Sequence, residues 1–278
     1  MSIIVDHVTK SFSERNRRRQ SKLVLKDVCF EVPDGEFVSL LGPSGCGKST
    51  TLTIIAGFQG RDSGDVIVNG RTVTRPGPDR AFVFQDYALL PWMKVGENIT
   101  YPMKMQRVPK EEREKRLDEL LSLAQLQECR DQYINELSGG MKQRVALLRA
   151  IACDPEVLLM DEPLGAVDFQ MRKLLQLQLE SILMQKKVTT LMVTHDVDEA
   201  VYLSDRVIVM GRDHGNILAD VAIELDRPRD RTSEKYHGYC DQLTELLKTA
   251  LSGEVFTKED EDIMNFIKNA EIESRRHC

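Results

Sequence analysis

The chain has 278 residues, 41% of them hydrophobic, enough to bury one domain core with a subdomain or a short appendage. Its 38 Lys plus Arg against 44 Asp plus Glu give a formal charge of -6, which excludes the overall positive field of a protein that coats nucleic acid and leaves only a local basic groove open. No run approaches the roughly 18–20 apolar residues that span a bilayer, since the most apolar stretch, Val157 to Met160, ends at Asp161 and Glu162. The N-terminus alternates apolar and polar residues (Ile3, Val5, Val8) and shows no secretory signal, so a cytosolic location is expected. Six cysteines (Cys29, Cys46, Cys129, Cys153, Cys240, Cys278) form no C-x-x-C pair and are expected as reduced thiols. His237 and Cys240 have helical i, i+3 spacing, but no partner pair stands near them to complete a metal site.

In chain order, residues 2–8 and 23–32 read as strands. The polar loop between them holds Glu14, Arg15, Asn16, Arg17, Arg18 and Arg19, either solvated or facing anionic lipid headgroups. Residues 37–41 read as a short apolar strand, 42–47 as a glycine loop and 48–56 as a helix. Strands follow at 65–68 and 81–84, then a charged helix at 110–124 with Leu117, Leu120 and Leu121 on one face. A helix from Ser138 to about residue 152 precedes a strand at 157–160, a helix at 169–185, a strand at 189–193, a helix at 197–203 and a strand at 206–210. This alternation predicts an α/β fold with a largely parallel sheet, interrupted by a helical insertion. From Arg227 the chain turns polar and helical, with Thr257 and Asp260 as a capping box.

Gly42-Pro43-Ser44-Gly45-Cys46-Gly47-Lys48-Ser49 matches G-x-x-x-x-G-K-[ST] at every position and lies between a predicted strand and helix. Glycines let backbone N–H groups turn inward as a nest for phosphate oxygens, and the helix N-terminus adds the positive end of its dipole. Lys48 is expected to reach the β- and γ-phosphates, and the hydroxyl of Ser49 to coordinate Mg²⁺; Thr50 continues the loop into the helix. Val157-Leu158-Leu159-Met160-Asp161-Glu162 is a buried strand delivering two carboxylates at its carboxyl end. Asp161 is the candidate to hold Mg²⁺ through water, and Glu162 to orient or deprotonate an attacking water.

An ordinary P-loop kinase or GTPase remains open until Leu137-Ser138-Gly139-Gly140-Met141-Lys142-Gln143 is read. It opens a second helix with a second anion-binding N-terminus, which one nucleotide does not need from the same chain. This segment, in order with the others, resembles the signature of the ABC ATPase family. The resemblance covers roughly residues 1 to 231 and implies a P-loop NTPase, RecA-like core with an antiparallel β subdomain and an inserted α-helical subdomain at about 91–153. The ATPase domain would be residues 1–226, with 227–278 as a C-terminal helical extension. It also implies that Ser138, Gly139 and Gly140 complete a partner's ATP site across a head-to-tail dimer. Gln85 looks like the glutamine that senses Mg²⁺ and the attacking water, His195 like the switch histidine at the γ-phosphate, and Asp168 like the aspartate linking the two sites. Phe12 sits where the family stacks an aromatic ring on adenine; a core phenylalanine is the other reading. Val167, in place of the usual leucine, and the segment Phe169-Gln170-Met171-Arg172 depart from the family pattern.

Within the family, the run from Gly77 to Trp92 resembles the importer branch for nitrate, bicarbonate, sulfonates such as taurine, and thiamine precursors, with Pro91-Trp92 its most specific piece. The expected partners are a second ATPase subunit, two membrane-spanning permease subunits and, indirectly, an external solute-binding protein, with the chain peripheral on the cytoplasmic face of the membrane. Leu90, Trp92 and Met93 suit a docking cleft, or Trp92 belongs to the core. Two rival readings are an ABC ATPase acting on nucleic acid or ribosomes, which the absence of a basic surface disfavours, and a small-molecule kinase, which the second anion-binding helix disfavours.

Overall fold

The computed structural model describes residues 3–13, 21–165, 172–173, 175–177, 179–181 and 188–251. The Arg-rich loop, Asp168, most of the helix expected at 169–185, the Thr257–Asp260 cap and Cys278 lie outside them.

Two sheets form the scaffold. The first is antiparallel, in the order β2 (Ser21–Val32), β1 (Ile3–Ser13), β4 (Ser63–Val68) and β5 (Arg71–Thr72). The second has six strands: β10 (Ile217–Ala222), β9 (Arg206–Met210), β3 (Phe37–Leu41), β8 (Thr189–Thr194), β7 (Val157–Asp161) and β6 (Arg80–Val83). All its neighbours pair in parallel except β10, which runs antiparallel to β9 at the edge.

The central strands are apolar throughout because both faces are covered. Val38 and Leu40 of β3, Leu159 of β7 and Leu191 and Val193 of β8 pack toward the first sheet and helix α1 (Lys48–Ala56). The alternate residues Phe37, Leu41, Leu158, Met160 and Met192 face the opposite way, into a second core. That core is built with α2 (Val95–Met105), α3 (Lys110–Leu123), α4 (Gly139–Ile151), α5 (Val197–Leu203) and α6 (Glu234–Leu251). Helices α2, α3 and α4 are inserted between β6 and β7, and α2 packs on both α3 and α4. Leu117, Leu120 and Leu121 form the buried face of α3, as their spacing predicts.

The segment that follows β10 is fastened to the core. Arg229 is buried and donates to the carbonyl oxygens of Val201 and Ile223, while Arg227 bridges Glu180 at 2.9 Å and Asp205 at 2.8 Å. Tyr236 then seats α6 against α5, its hydroxyl donating to Asp198 Oδ1 at 2.7 Å.

Candidate active site

The parallel register brings four loops to one edge of the second sheet. Leu41 at the end of β3 lies opposite Thr194 of β8, Asp161 of β7 opposite Val193, and Val83 of β6 opposite Met160. The glycine loop, Glu162, His195 and Gln85 follow these strand ends directly, in the crevice where open α/β sheets place ligands.

The glycine loop turns through Gly45 and Gly47, at φ of 79° and 108°, and Gly47 caps α1. The first bond of the helix runs from Thr51 N–H to the Gly47 carbonyl at 2.8 Å, so the N–H groups of Lys48, Ser49 and Thr50 precede the ladder and face outward from the helix start. Gly42 has no room for a side chain: a Cβ there would stand 2.4 Å from the Met210 carbonyl oxygen. Ser44 and Gly45 are exposed, whereas Pro43, Cys46 and Lys48 are buried. Lys48 Nζ donates to the carbonyls of Gly42 at 2.7 Å and Pro43 at 2.8 Å, and lies 3.9 Å from Cys46 Sγ. Burial pushes the Cys46 thiol above its usual range, with the Lys48 ammonium partly opposing it.

Ser49 Oγ donates to Asp161 Oδ1 at 2.8 Å, which joins the two expected metal ligands across 112 residues of sequence. The Asp161 carboxyl is raised above the usual range, chiefly by burial and in smaller part by Glu162, with the Ser49 hydrogen bond and Lys48 pulling the other way. A half-buried carboxylate with so little compensating positive charge fits a cation at this place.

Glu162 is the hub. Gln85 Nε2 donates to its Oε2 at 3.3 Å, and His195 Nδ1 lies 3.3 Å from its Oε1. Its backbone is held left-handed at φ 44°, a conformation costing about 1–2 kcal/mol in a non-glycine residue. The bond from Glu162 N–H to the Val193 carbonyl at 3.0 Å and the turn from Gly165 N–H to the Glu162 carbonyl at 3.2 Å keep it there. All three residues assigned catalytic roles from sequence therefore meet at one carboxylate.

Ser138, Gly139 and Gly140 begin α4 as expected, with Ser138 Oγ accepting from Met141 N–H at a long 3.4 Å. Ser138 and Gly139 are exposed, and among the described residues no hydrogen bond joins them to the glycine loop. Phe12, at the end of β1, is 39% exposed and outside the core, with Lys10 Nζ 5.4 Å from its ring centre. Trp92 is 69% exposed, so its core reading is set aside.

Sequence reasoning missed several supporting groups. Buried Asn98 accepts from Leu90 N–H at 2.8 Å and donates to the carbonyls of Leu90, Met93 and Lys94, clamping the loop that presents Trp92. Arg149 of α4 donates to the carbonyls of Tyr87 and Ala88 at 2.8 and 2.7 Å, tying the signature helix to the loop after Gln85. Behind His195, Thr194 donates to the buried Glu199, Asp196 caps α5 by accepting from Glu199 N–H at 3.0 Å, and Arg172 pairs with Asp196 at 2.7 Å. Apart from the Asp196 cap, whose spacing to Glu199 is a local helix-start signal, these are ordinary polar residues until the fold brings their partners.

The comparisons with known proteins bear on the family of the chain. A family profile described as ABC transporter matches residues 25–165, which run from β2 through the glycine loop and the signature to the turn after Glu162. The aliphatic sulfonates import ATP-binding protein SsuB of Bacillus cereus is 42% identical over 236 residues, covering 85% of this chain and 92% of SsuB. The nitrate import ATP-binding protein NrtC of Synechococcus elongatus is 45% identical over 231 residues, 82% of this chain, which spans only 35% of the length of NrtC. Among solved structures, a dimeric ATP-binding cassette in a post-hydrolysis state, bound to ADP and Pi, matches with a TM-score of 0.70 at 30% identity, covering 80% of this chain and 99% of that one. With the glycine loop, the carboxylate hub and the signature helix in family order, this chain belongs to the ABC transporter family.

Proposed function

We propose that this chain is the ATP-binding and ATP-hydrolysing subunit of an ABC importer, driving uptake of a small anion or organic solute of the nitrate, sulfonate, taurine or bicarbonate class. The observation that carries the catalytic part is the meeting of Gln85 and His195 on the two oxygens of Glu162, beside the Ser49–Asp161 pair. The importer part rests on the relatives, which are import ATP-binding proteins and favour transport over the nucleic-acid alternative.

In this reading the N–H groups of residues 42–50 and the Lys48 ammonium bind the phosphates, and Phe12 stacks on the adenine. Ser49, Asp161 and Gln85 would hold Mg²⁺, which when bound neutralises phosphate charge. Glu162 orients the attacking water and takes its proton, and its strained backbone and its contacts with Gln85 and His195 fix where that carboxylate stands. Ser138, Gly139 and Gly140 serve the phosphates bound to a second ATPase subunit, and Asp168 links the two sites. Residues 1–226 form the ATPase domain, with the helical subdomain near 91–153, and 227–278 the extension. Two permease subunits dock near Trp92, and a solute-binding protein acts from the other side. The subunit sits peripherally on the cytoplasmic face in this reading; among the described residues no helix is long and apolar enough to cross a membrane.

The test is Glu162→Gln, which keeps the side-chain shape and loses the proton acceptor. Hydrolysis is expected to fall about 10²- to 10⁴-fold while an ATP-bound dimer accumulates on gel filtration. Hydrolysis at the wild-type rate would remove Glu162 from the mechanism.

A further inference from the structure

Strands β1 and β2 do not pair in one continuous register: the pairing shifts between Val5–Phe30 and Val8–Val28. His7 lies within that irregularity and Asp27 within the next, between Val8–Val28 and Lys10–Leu25, and both are left-handed, at φ of 50° and 55°. Each such non-glycine residue costs about 1–2 kcal/mol, and a bulge re-aims the side chains it carries. In a regular strand Asp6 and His7 would point to opposite faces. Here the bulge brings their polar ends to one patch with Cys29. A His7 ring nitrogen, an Asp6 carboxylate oxygen and Cys29 Sγ all lie within 4.8 Å of one another, and all three side chains are exposed.

Two further contacts organise this trio. His7 N–H donates to Cys29 Sγ at 3.0 Å, which fixes the thiol toward the histidine. Asp27 Oδ1 is 2.5 Å from His7 Nδ1, while Asp6 Oδ1 is 3.8 Å from Nε2. One nitrogen of the ring is thus engaged by a carboxylate, leaving the other turned to the Asp6 side.

We propose that Asp6, His7 and Cys29 bind a transition-metal ion of the zinc class, with Asp27 orienting the imidazole. Imidazole, carboxylate and thiolate are the donors such an ion selects, and three protein ligands leave a fourth position for water or a group from another molecule. A carboxylate on the second histidine nitrogen is the usual outer partner of a metal-bound imidazole. Zn–ligand bonds of about 2.0–2.3 Å place tetrahedral donors roughly 3.4–3.8 Å apart, so the trio needs to draw in by about 1 Å, which exposed side chains do by rotation. In the absence of metal the same residues are a surface ion pair, and the Asp27 hydrogen bond raises the His7 pKa.

The experiment is a Co²⁺ titration of the full, chelator-treated, nucleotide-free chain, followed by the thiolate-to-cobalt charge-transfer absorption. One equivalent should saturate the band and Zn²⁺ should bleach it. Cys29→Ser should abolish it, and His7→Asn, which tolerates the left-handed backbone, should weaken binding at least tenfold. Zn²⁺ should also raise the melting temperature of the wild type, less that of His7→Asn, and not that of Cys29→Ser. No band in the wild type, or a band that survives Cys29→Ser, overturns the proposal; the latter would give the thiolate to another cysteine.

Discussion

A methyl group added at three glycines of the phosphate loop separates backbone strain from steric conflict. At Gly45, φ is +79° and no heavy atom lies within 4 Å of the new Cβ, so Gly45→Ala carries strain alone. That strain is about 1–2 kcal/mol, offset by roughly 0.4–1 kcal/mol from a stiffer unfolded chain, for a net loss near ~1 kcal/mol. At Gly47, φ is +108° and the Cβ would stand 2.5 Å from Leu25 Cδ2. Overpacking adds about 1–3 kcal/mol there, giving a total of roughly 2–4 kcal/mol. At Gly42 the obstacle is the Met210 carbonyl oxygen at 2.4 Å, with Cys46 Sγ at 3.1 Å; no rotamer relieves a backbone clash, so the ends of β3 and β9 must part. Urea unfolding should therefore rank Gly45→Ala well below the other two in stability lost. Binding of a fluorescent ATP analogue, measured in parallel, should survive best in the same variant. Equal destabilisation by Gly45→Ala and Gly47→Ala would refute the division into strain and clash.

Glu199 is wholly buried, and burial above all, opposed by the Thr194 hydrogen bond, pushes its pKa from the ordinary 4.5 up to about 8. The folded state therefore holds a proton that the unfolded state releases: the stability this supplies is complete below about pH 4.5 and is lost as pH rises through 8. Glu199→Gln should flatten that slope and be the more stable form at pH 8.5, as measured by denaturation at constant ionic strength; equal slopes in the two proteins would exclude a protonated Glu199. Cys46 is 1% exposed with a raised thiol pKa, whereas Cys29 is exposed, so iodoacetamide at neutral pH should modify Cys29 before Cys46 by mass spectrometry, with ATP slowing Cys46 further. Trp92→Ala should change unfolding free energy by no more than about 0.5 kcal/mol yet release the chain from co-purified permease subunits; a large stability loss would return Trp92 to the core.

How legible each part was in the sequence follows from how local its cause is. The strand Phe37–Leu41, the helices Lys48–Ala56 and Val197–Leu203 and the strand Arg206–Met210 lie where the sequence places them, because the strands are short, mostly apolar runs and the helices start at a glycine loop and at the Asp196 cap. Helix α2 went unread because Gly96 and Pro102 look like breakers; both are accommodated, and the helix is held instead by packing on α3 and α4 and by the Asn98 clamp. Strand β10 was missed for the opposite reason: as an edge strand it is only half buried, with polar and apolar residues mixed. The trio at Asp6, His7 and Cys29 was invisible, since it depends on two left-handed residues whose types do not demand that conformation.

The catalytic grouping was legible as a set of motifs but not as a geometry, and the difference lies in the sheet. Gln85, Glu162 and His195 follow three neighbouring parallel strands whose last residues stand almost level, so strand register alone converts large separations in sequence into contacts of 3.3 Å. The signature helix obeys another logic. Its N-terminal Ser138 and Gly139 are exposed, capped by one long hydrogen bond, while Arg149 in its last turn is anchored to the loop after Gln85. An exposed helix start has positive potential to offer an anion, and in the proposed function the start at Lys48 already serves the chain's own phosphates. Two anion-binding helix starts per chain, with one glycine loop each, balance when two chains share two triphosphates. Under the proposed pairing of two chains, the anchoring of Arg149 to the Tyr87 and Ala88 carbonyls would be a route by which a change at Gln85 reaches the neighbour's nucleotide.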